Sequence, residues 1–177
     1  MKTIVVYKSK TGFTKKYAEW IQEATKFDIA NYDNASKASL SAYDLIVFGS
    51  RIHAGKIDGL KKIKELLPDH ARLVVYATGA TPIEAEDVIR AIMKASFTEE
   101  ELLAIPHFYM PAGLNYENMN IGDKLIMKAL AKMLGNKKDK SSVEAGCEQA
   151  IGHSYDISSR EYIVPLLDYI QTLVKIA

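Results

Sequence analysis

Three apolar, β-branched runs with no polar alternation constrain this chain more than any other feature. They are Thr3-Ile4-Val5-Val6-Tyr7, Asp44-Leu45-Ile46-Val47-Phe48-Gly49 and Ala71-Arg72-Leu73-Val74-Val75-Tyr76-Ala77. A strand with one wet face alternates apolar and polar residues. A strand covered on both faces does not, and such strands belong to a parallel sheet held between helices. A weaker run, Phe27-Asp28-Ile29-Ala30-Asn31-Tyr32, and a less pure one, Pro106-His107-Phe108-Tyr109-Met110, complete five candidate strands.

Apolar residues recur at helical spacing between these runs. Residues 14–24 carry Tyr17, Trp20, Ile21 and Ala24, and Trp20 is read as core. Residues 58–67 carry Leu60, Ile63, Leu66 and Leu67, and residues 82–93 open on Pro82 and two acids, a favourable first turn. Residues 121–134 carry Leu125, Ile126, Ala129, Leu130 and Met133, with Gly135 as the expected stop. Residues 158–176 begin with capping-box spacing, Ser158 to Glu161, and Pro165 predicts a late start or a kink. Strand and helix alternate throughout, which predicts an α/β, doubly wound sheet. No linker or repeat divides residues 1–177, so a single domain is expected.

Composition excludes several classes. A chain of 177 residues with 48% hydrophobic and 25% charged residues can bury a core and is not disordered. The 23 basic and 22 acidic residues give a net charge of +1, so no nucleic-acid partner is expected. No stretch approaches the roughly 18 apolar residues of a membrane span, which leaves only peripheral contact open. The apolar run at the start is short for a secretory signal, and the single cysteine, Cys147, forms no internal disulfide. A cytoplasmic location is therefore expected. One cysteine and four histidines predict no metal site. The basic run Lys137-Lys138-Asp139-Lys140 reads as a solvated loop or a partner-docking patch.

Ligands of such sheets bind outside the carboxyl ends of the strands. After the first strand come Ser9, Lys10, Thr11, Gly12, Phe13 and Thr14, leading straight into a helix. Hydroxyls, one glycine and a helix N-terminus suit a single phosphate, since backbone N–H groups and the helix dipole both favour an anion there. A Walker A loop and a G-x-G-x-x-G fingerprint are both absent, and the alternative reading is a simple N-cap and turn. The third strand leads into a loop with Gly49 and Gly55, whose spacing fails for an ATP site. The fourth leads into Thr78, Gly79, Ala80 and Thr81, and the fifth into Gly113, Leu114, Asn115 and Tyr116.

The S-x-T-G-x-T pattern of residues 9–14, directly after the first strand, resembles the FMN phosphate loop of flavodoxin-like proteins. Residues 50–56, and residues 108–116 followed by the helix around 122–128, resemble the branch of that family containing menaquinone-dependent protoporphyrinogen oxidase. In that branch a long insertion separates the fifth strand from the last helix, a place filled here by residues 114–156. The resemblance implies a five-stranded parallel sheet of order 2-1-3-4-5 and an FMN-binding redox domain. It places the FMN phosphate on Ser9, Lys10, Thr11, Gly12, Phe13 and Thr14. It places the ring between Ser50, Arg51, Ile52, His53, Ala54 and Gly55 on one side and Thr78, Gly79, Ala80 and Thr81 on the other. Gly113, Asn115 and Tyr116 would close over it.

The two ring loops contain no tryptophan or tyrosine, so His53 is the planar side chain of the second loop. An open ring face suits a planar substrate. Arg51 reads as a contact to the flavin edge, to a substrate anion, or as a surface cation. Tyr116 reads as a ligand cover or as packing. His107 reads as structural, and His70 and His153 as surface residues. The function expected is an FMN-dependent oxidoreductase that oxidises a porphyrinogen or reduces a quinone. The rivals are a flavodoxin-type electron carrier with a redox partner but no substrate of its own, and a phosphate- or nucleotide-binding regulatory domain without redox use. Near-neutral charge speaks against the carrier and the intact loop against the regulator. The flavin would carry the electron chemistry, and no acid–base residue is named.

Overall fold

Successive residues of a strand point to opposite faces, so runs that are apolar at every position need cover on both sides. The structure, a computed structural model, describes residues 1–136 and 153–176. Its elements are β1 (Thr3–Lys8), α1 (Phe13–Thr25), β2 (Asp28–Asn31), α2 (Lys37–Leu40), β3 (Leu45–His53), β4 (Lys56–Ile57), α3 (Leu60–Leu66), β5 (Arg72–Gly79), α4 (Glu86–Ser96), α5 (Glu99–Ala104), β6 (His107–Pro111), β7 (Gly113–Leu114), α6 (Ile121–Asn136), β8 (Tyr155–Asp156) and α7 (Val164–Ile176). Short 3-10 turns precede α2 at Tyr32–Asn34 and α7 at Arg160–Ile163.

The main sheet runs β2-β1-β3-β5-β6, all parallel, with β4 folded antiparallel onto the end of β3. Without β4 this is the expected 2-1-3-4-5 order. Ile4, Val6, Ile46, Phe48 and Val75 pack with Leu40, Leu60, Ile63 and Met93 from α2, α3 and α4. Val5, Leu45, Val47, Val74 and Tyr76 pack with Tyr17, Ala18 and Ile21 of α1 and Leu166 and Ile170 of α7. Each such buried side chain contributes about 1.5–3 kcal/mol. The sheet's carboxyl edge is thereby fixed from both sides.

Several local expectations need correction. β3 does not end at Gly49. It continues to His53 and turns through Ala54 and Gly55 into β4. Both turn residues have positive φ, 49° and 76°, as a two-residue hairpin of the I′ kind requires, and Ala54 holds that conformation with a Cβ. Gly49 is a mid-strand glycine because a Cβ there would lie 1.8 Å from the Tyr76 ring. α4 begins at Glu86, since Pro82 first closes a turn in which its carbonyl accepts from the Ala85 N–H. α6 runs through Gly135 to Asn136. The expected capping box at Ser158 does not form. Ser159 caps the following 3-10 turn instead, while Ser158 bonds Asp156, and the α-helix starts late, with Pro165 in its first turn. Trp20 is half-buried and meets Tyr17 edge-on.

The insertion opens and closes on a short antiparallel pair, β7 with β8. Gly113 is needed there, because a Cβ would lie 2.0 Å from the Tyr155 carbonyl oxygen. Lys137, Lys138, Lys140 and Cys147 lie outside the described residues.

Candidate functional site

A cleft opens at the carboxyl edge of β1, β3 and β5. Its floor and walls include Thr11 and Phe13, then Arg51, Ile52, His53 and Ala54, then Thr78, Gly79, Ala80 and Thr81, and Gly113. The four loops separated in sequence thus converge on one cavity. Ser9, Lys10, Gly12, Thr14, Ser50, Gly55, Asn115 and Tyr116 stand near these walls without lining the cleft.

The first loop enters α1 through Gly12, whose φ is 99°, and no side chain caps the helix. The helix thus presents first-turn N–H groups without an internal acceptor. In the same loop the Ser9 hydroxyl is buried and has no hydrogen-bond partner among the described residues. A buried hydroxyl left unpaired costs about 1–3 kcal/mol. A phosphate at this loop would relieve that cost and meet the helix dipole. These residues fit an anionic phosphate group. The Ser50 hydroxyl, fully buried in the second half of β3, has no partner among the described residues either.

Thr14 plays a different part. Its hydroxyl lies 2.8 Å from that of Thr78, and both residues are buried, so this pair bolts α1 to β5 beneath the cleft. Its carbonyl accepts from Tyr76. Asn115 fixes the first loop from above, donating through Nδ2 to the Thr11 carbonyl at 3.1 Å. Tyr116 packs with Leu114 in the insertion. The loop at residues 80–81 is held from behind by two tyrosines: Tyr109 donates to the Thr81 carbonyl and Tyr155 to the Ala80 carbonyl. Burial pushes the Tyr109 hydroxyl well above the ordinary phenol range, so it stays a donor.

The roof was not foreseen. α6 places Asp123, Ile126 and Met127 over the cleft, with Met119 before it and Ala112 and Leu114 beside it. Met127 and Ala131 pack on Leu114, which seats the inner face of the helix. Asp123 is the polar anchor. It pairs with Arg51 Nη1 at 3.0 Å and Lys10 Nζ at 3.1 Å, and His53 Nδ1 lies 3.9 Å away. Burial works against its charge, but the hydrogen bonds from Lys10 and Arg51 outweigh that and hold the carboxyl below its ordinary range. Arg51 also reaches Asp58 at 3.7 Å, and Asp58 takes Lys8 at 2.7 Å. Arg51 is therefore a paired cation at the cleft wall. Among the described residues the cleft lining contains no tryptophan or tyrosine, and Phe13 and His53 supply its planar side chains. His107 bonds the Ile105 carbonyl and lies against Phe97, away from the cleft, while His70 and His153 are exposed. No helix among the described residues is long and apolar enough to cross a membrane.

The family model for the flavodoxin domain matches residues 4–141. No curated protein matches the chain. Among solved structures, the chain is similar to a candidate flavoprotein from Bacteroides eggerthii, with 16% identity over 77% of this chain and 99% of that one, at a TM-score of 0.43. It is similar at 18% identity to a WrbA-like flavodoxin from Agrobacterium tumefaciens, over 84% of this chain and 98% of that one, at a TM-score of 0.38. A flavodoxin from the domain Archaea is also 18% identical, over 86% of this chain and 100% of that one, at a TM-score of 0.38.

Proposed function

The chain belongs to the flavodoxin domain family, and from that footing we propose that it is an FMN-dependent oxidoreductase whose electron partner is a planar small molecule, a quinone or a porphyrinogen. The observation that carries the flavin reading is the buried, unpaired Ser9 hydroxyl in a loop that feeds the uncapped start of α1. The residues Ser9 to Phe13 of that loop would hold the phosphate, with the Thr14 hydroxyl bracing the loop against Thr78. Bound flavin would supply electron transfer in one- or two-electron steps. Ile52, His53 and Ala54 on one side and Thr78, Gly79 and Ala80 on the other would hold the ring.

The chain's own contribution is orientation and cover. Tyr109 and Tyr155 fix the carbonyls of the Ala80–Thr81 wall, so its N–H groups keep a set direction. Thr14 and Thr78 lock the loop to the sheet. Arg51 keeps positive charge at the wall, tempered by Asp123 and Asp58. Ile126 and Met127 give the cleft an apolar edge from above. A lining that includes methionine, isoleucine and leucine, with no tryptophan or tyrosine among the described residues, leaves a flavin ring without an aromatic shield, which supports a planar small-molecule partner over a carrier role. The branch containing menaquinone-dependent protoporphyrinogen oxidase is the resemblance that points to these two substrates.

The test is turnover. FMN-loaded protein mixed with a porphyrinogen and a quinone, without oxygen, is expected to yield fluorescent porphyrin and reduced quinone in proportion. Flavin that exchanges electrons with protein partners alone, without turning over either small molecule, would overturn the oxidoreductase reading and leave the carrier.

A further inference from the structure

α6 carries apolar residues on two faces, and among the described residues only the inner one packs on the rest of the fold. The row Asp123, Met127 and Ala131 turns inward, onto the cleft and Leu114. Four residues apart along the same helix, Ile121, Leu125, Ala129 and Met133 form a second row. All four are exposed, with Ile121 at 79%, Leu125 at 61% and Met133 at 63%. Exposed large apolar residues scattered singly mean little, but a contiguous stripe on one helix marks a contact surface. Between the inner and outer rows, on one side, run Lys124, Lys128 and Lys132, again four apart. On the other side stands Ile126, which is 52% exposed and also lines the cleft. Apolar surface thus continues from the outer stripe, over Ile126, into the cleft.

We infer that the outer face of α6 docks on an anionic lipid bilayer and brings the cleft mouth to the membrane surface. Apolar residues along one side of a helix with lysines along its border suit a helix lying in the interface plane, the stripe among acyl chains and the ammonium groups among anionic headgroups. The lysine stems are long enough to reach back to the headgroups. A protein partner fits less well. Protein interfaces are anchored by tryptophan, tyrosine and arginine and are depleted in lysine, whereas this face has lysine and no aromatic residue. For the small-molecule reading above, on which this point rests, the consequence is a dry path for a lipid-soluble quinone along Ile126.

The experiment is flotation of the full-length, FMN-incubated chain with vesicles of phosphatidylcholine alone, or with about one-third phosphatidylglycerol. Wild type is expected to float with the anionic vesicles, little with the neutral ones, and several-fold less at high salt. Leu125→Glu with Met133→Glu is expected to lower the bound fraction about tenfold or more. Lys124→Gln, Lys128→Gln and Lys132→Gln together are expected to abolish the preference for anionic vesicles. Circular dichroism confirms folding of each variant. Absence of binding to either vesicle, or binding unchanged in the Leu125 and Met133 variant, overturns the inference. So does a dimer in solution that this variant dissolves, since the face would then belong to a second copy. Flavin absorbance is read on the same samples. Vesicle binding by a protein that takes up no flavin would overturn the flavin reading and leave the docking face standing.

Discussion

Ser9 and Thr14 share one loop motif but carry opposite energetic signs. The Thr14 hydroxyl is spent on Thr78, inside the fold. The Ser9 hydroxyl is buried with no partner among the described residues, and a bound phosphate would complete it where the fold does not. Ser9→Ala is therefore expected to leave the stability of the flavin-free chain unchanged, or to raise it by about 1 kcal/mol, while weakening FMN about tenfold or more. Thermal unfolding without flavin and fluorescence titration with FMN check the two halves. A destabilised variant with unchanged affinity would mark Ser9 as structural. The motif itself was legible because its residues are adjacent and their spacing against strand and helix is fixed. Which hydroxyl faces the fold was not legible, because Thr78 lies 64 positions from Thr14.

Elements were legible in proportion to their length. The long apolar strands and α1 emerge from periodicity alone. β7, β8 and β4 have two residues each, too few for any period to show. The extension of β3 was hidden because Ser50, Arg51 and His53 are polar at the sheet's ligand edge, where a strand no longer needs an apolar face. α6 was read as a helix, but its place as the roof was not. Asp123 looks like an ordinary first-turn acid, and its Arg51 partner lies 72 positions away. Its role is testable. A carboxyl held below its ordinary range in the fold contributes stability above the unfolded value, near pH 4, and loses it as pH falls through the lower folded value. Asp123→Asn is expected to cost about 1–3 kcal/mol near neutral pH. In urea unfolding the gap between wild type and variant should narrow as pH falls below about 4. A gap that is constant with pH, or absent at pH 7, would show that Lys10 and Arg51 do not hold α6 through charge.

At the scale of the molecule, topology was the most legible feature. Continuous apolar runs demand cover on both faces, and right-handed crossovers then leave few arrangements for five parallel strands. Four loops dispersed between residues 9 and 116 reach one edge for that reason. Charge balance was informative in sum but silent about placement. A net charge of +1 conceals three lysines in a row on α6 and a cluster of opposite charges on the cleft wall. Flavin binding at this edge depends on the first loop being a phosphate cradle, and FMN and riboflavin differ only by that phosphate. Titration of the flavin-free chain with each ligand, by quenching of flavin fluorescence, compares them directly. Two or more charge-assisted hydrogen bonds to the phosphate predict one FMN per chain, bound about a hundredfold or more tighter than riboflavin. Equal affinity for the two, or binding of neither, would contradict the account.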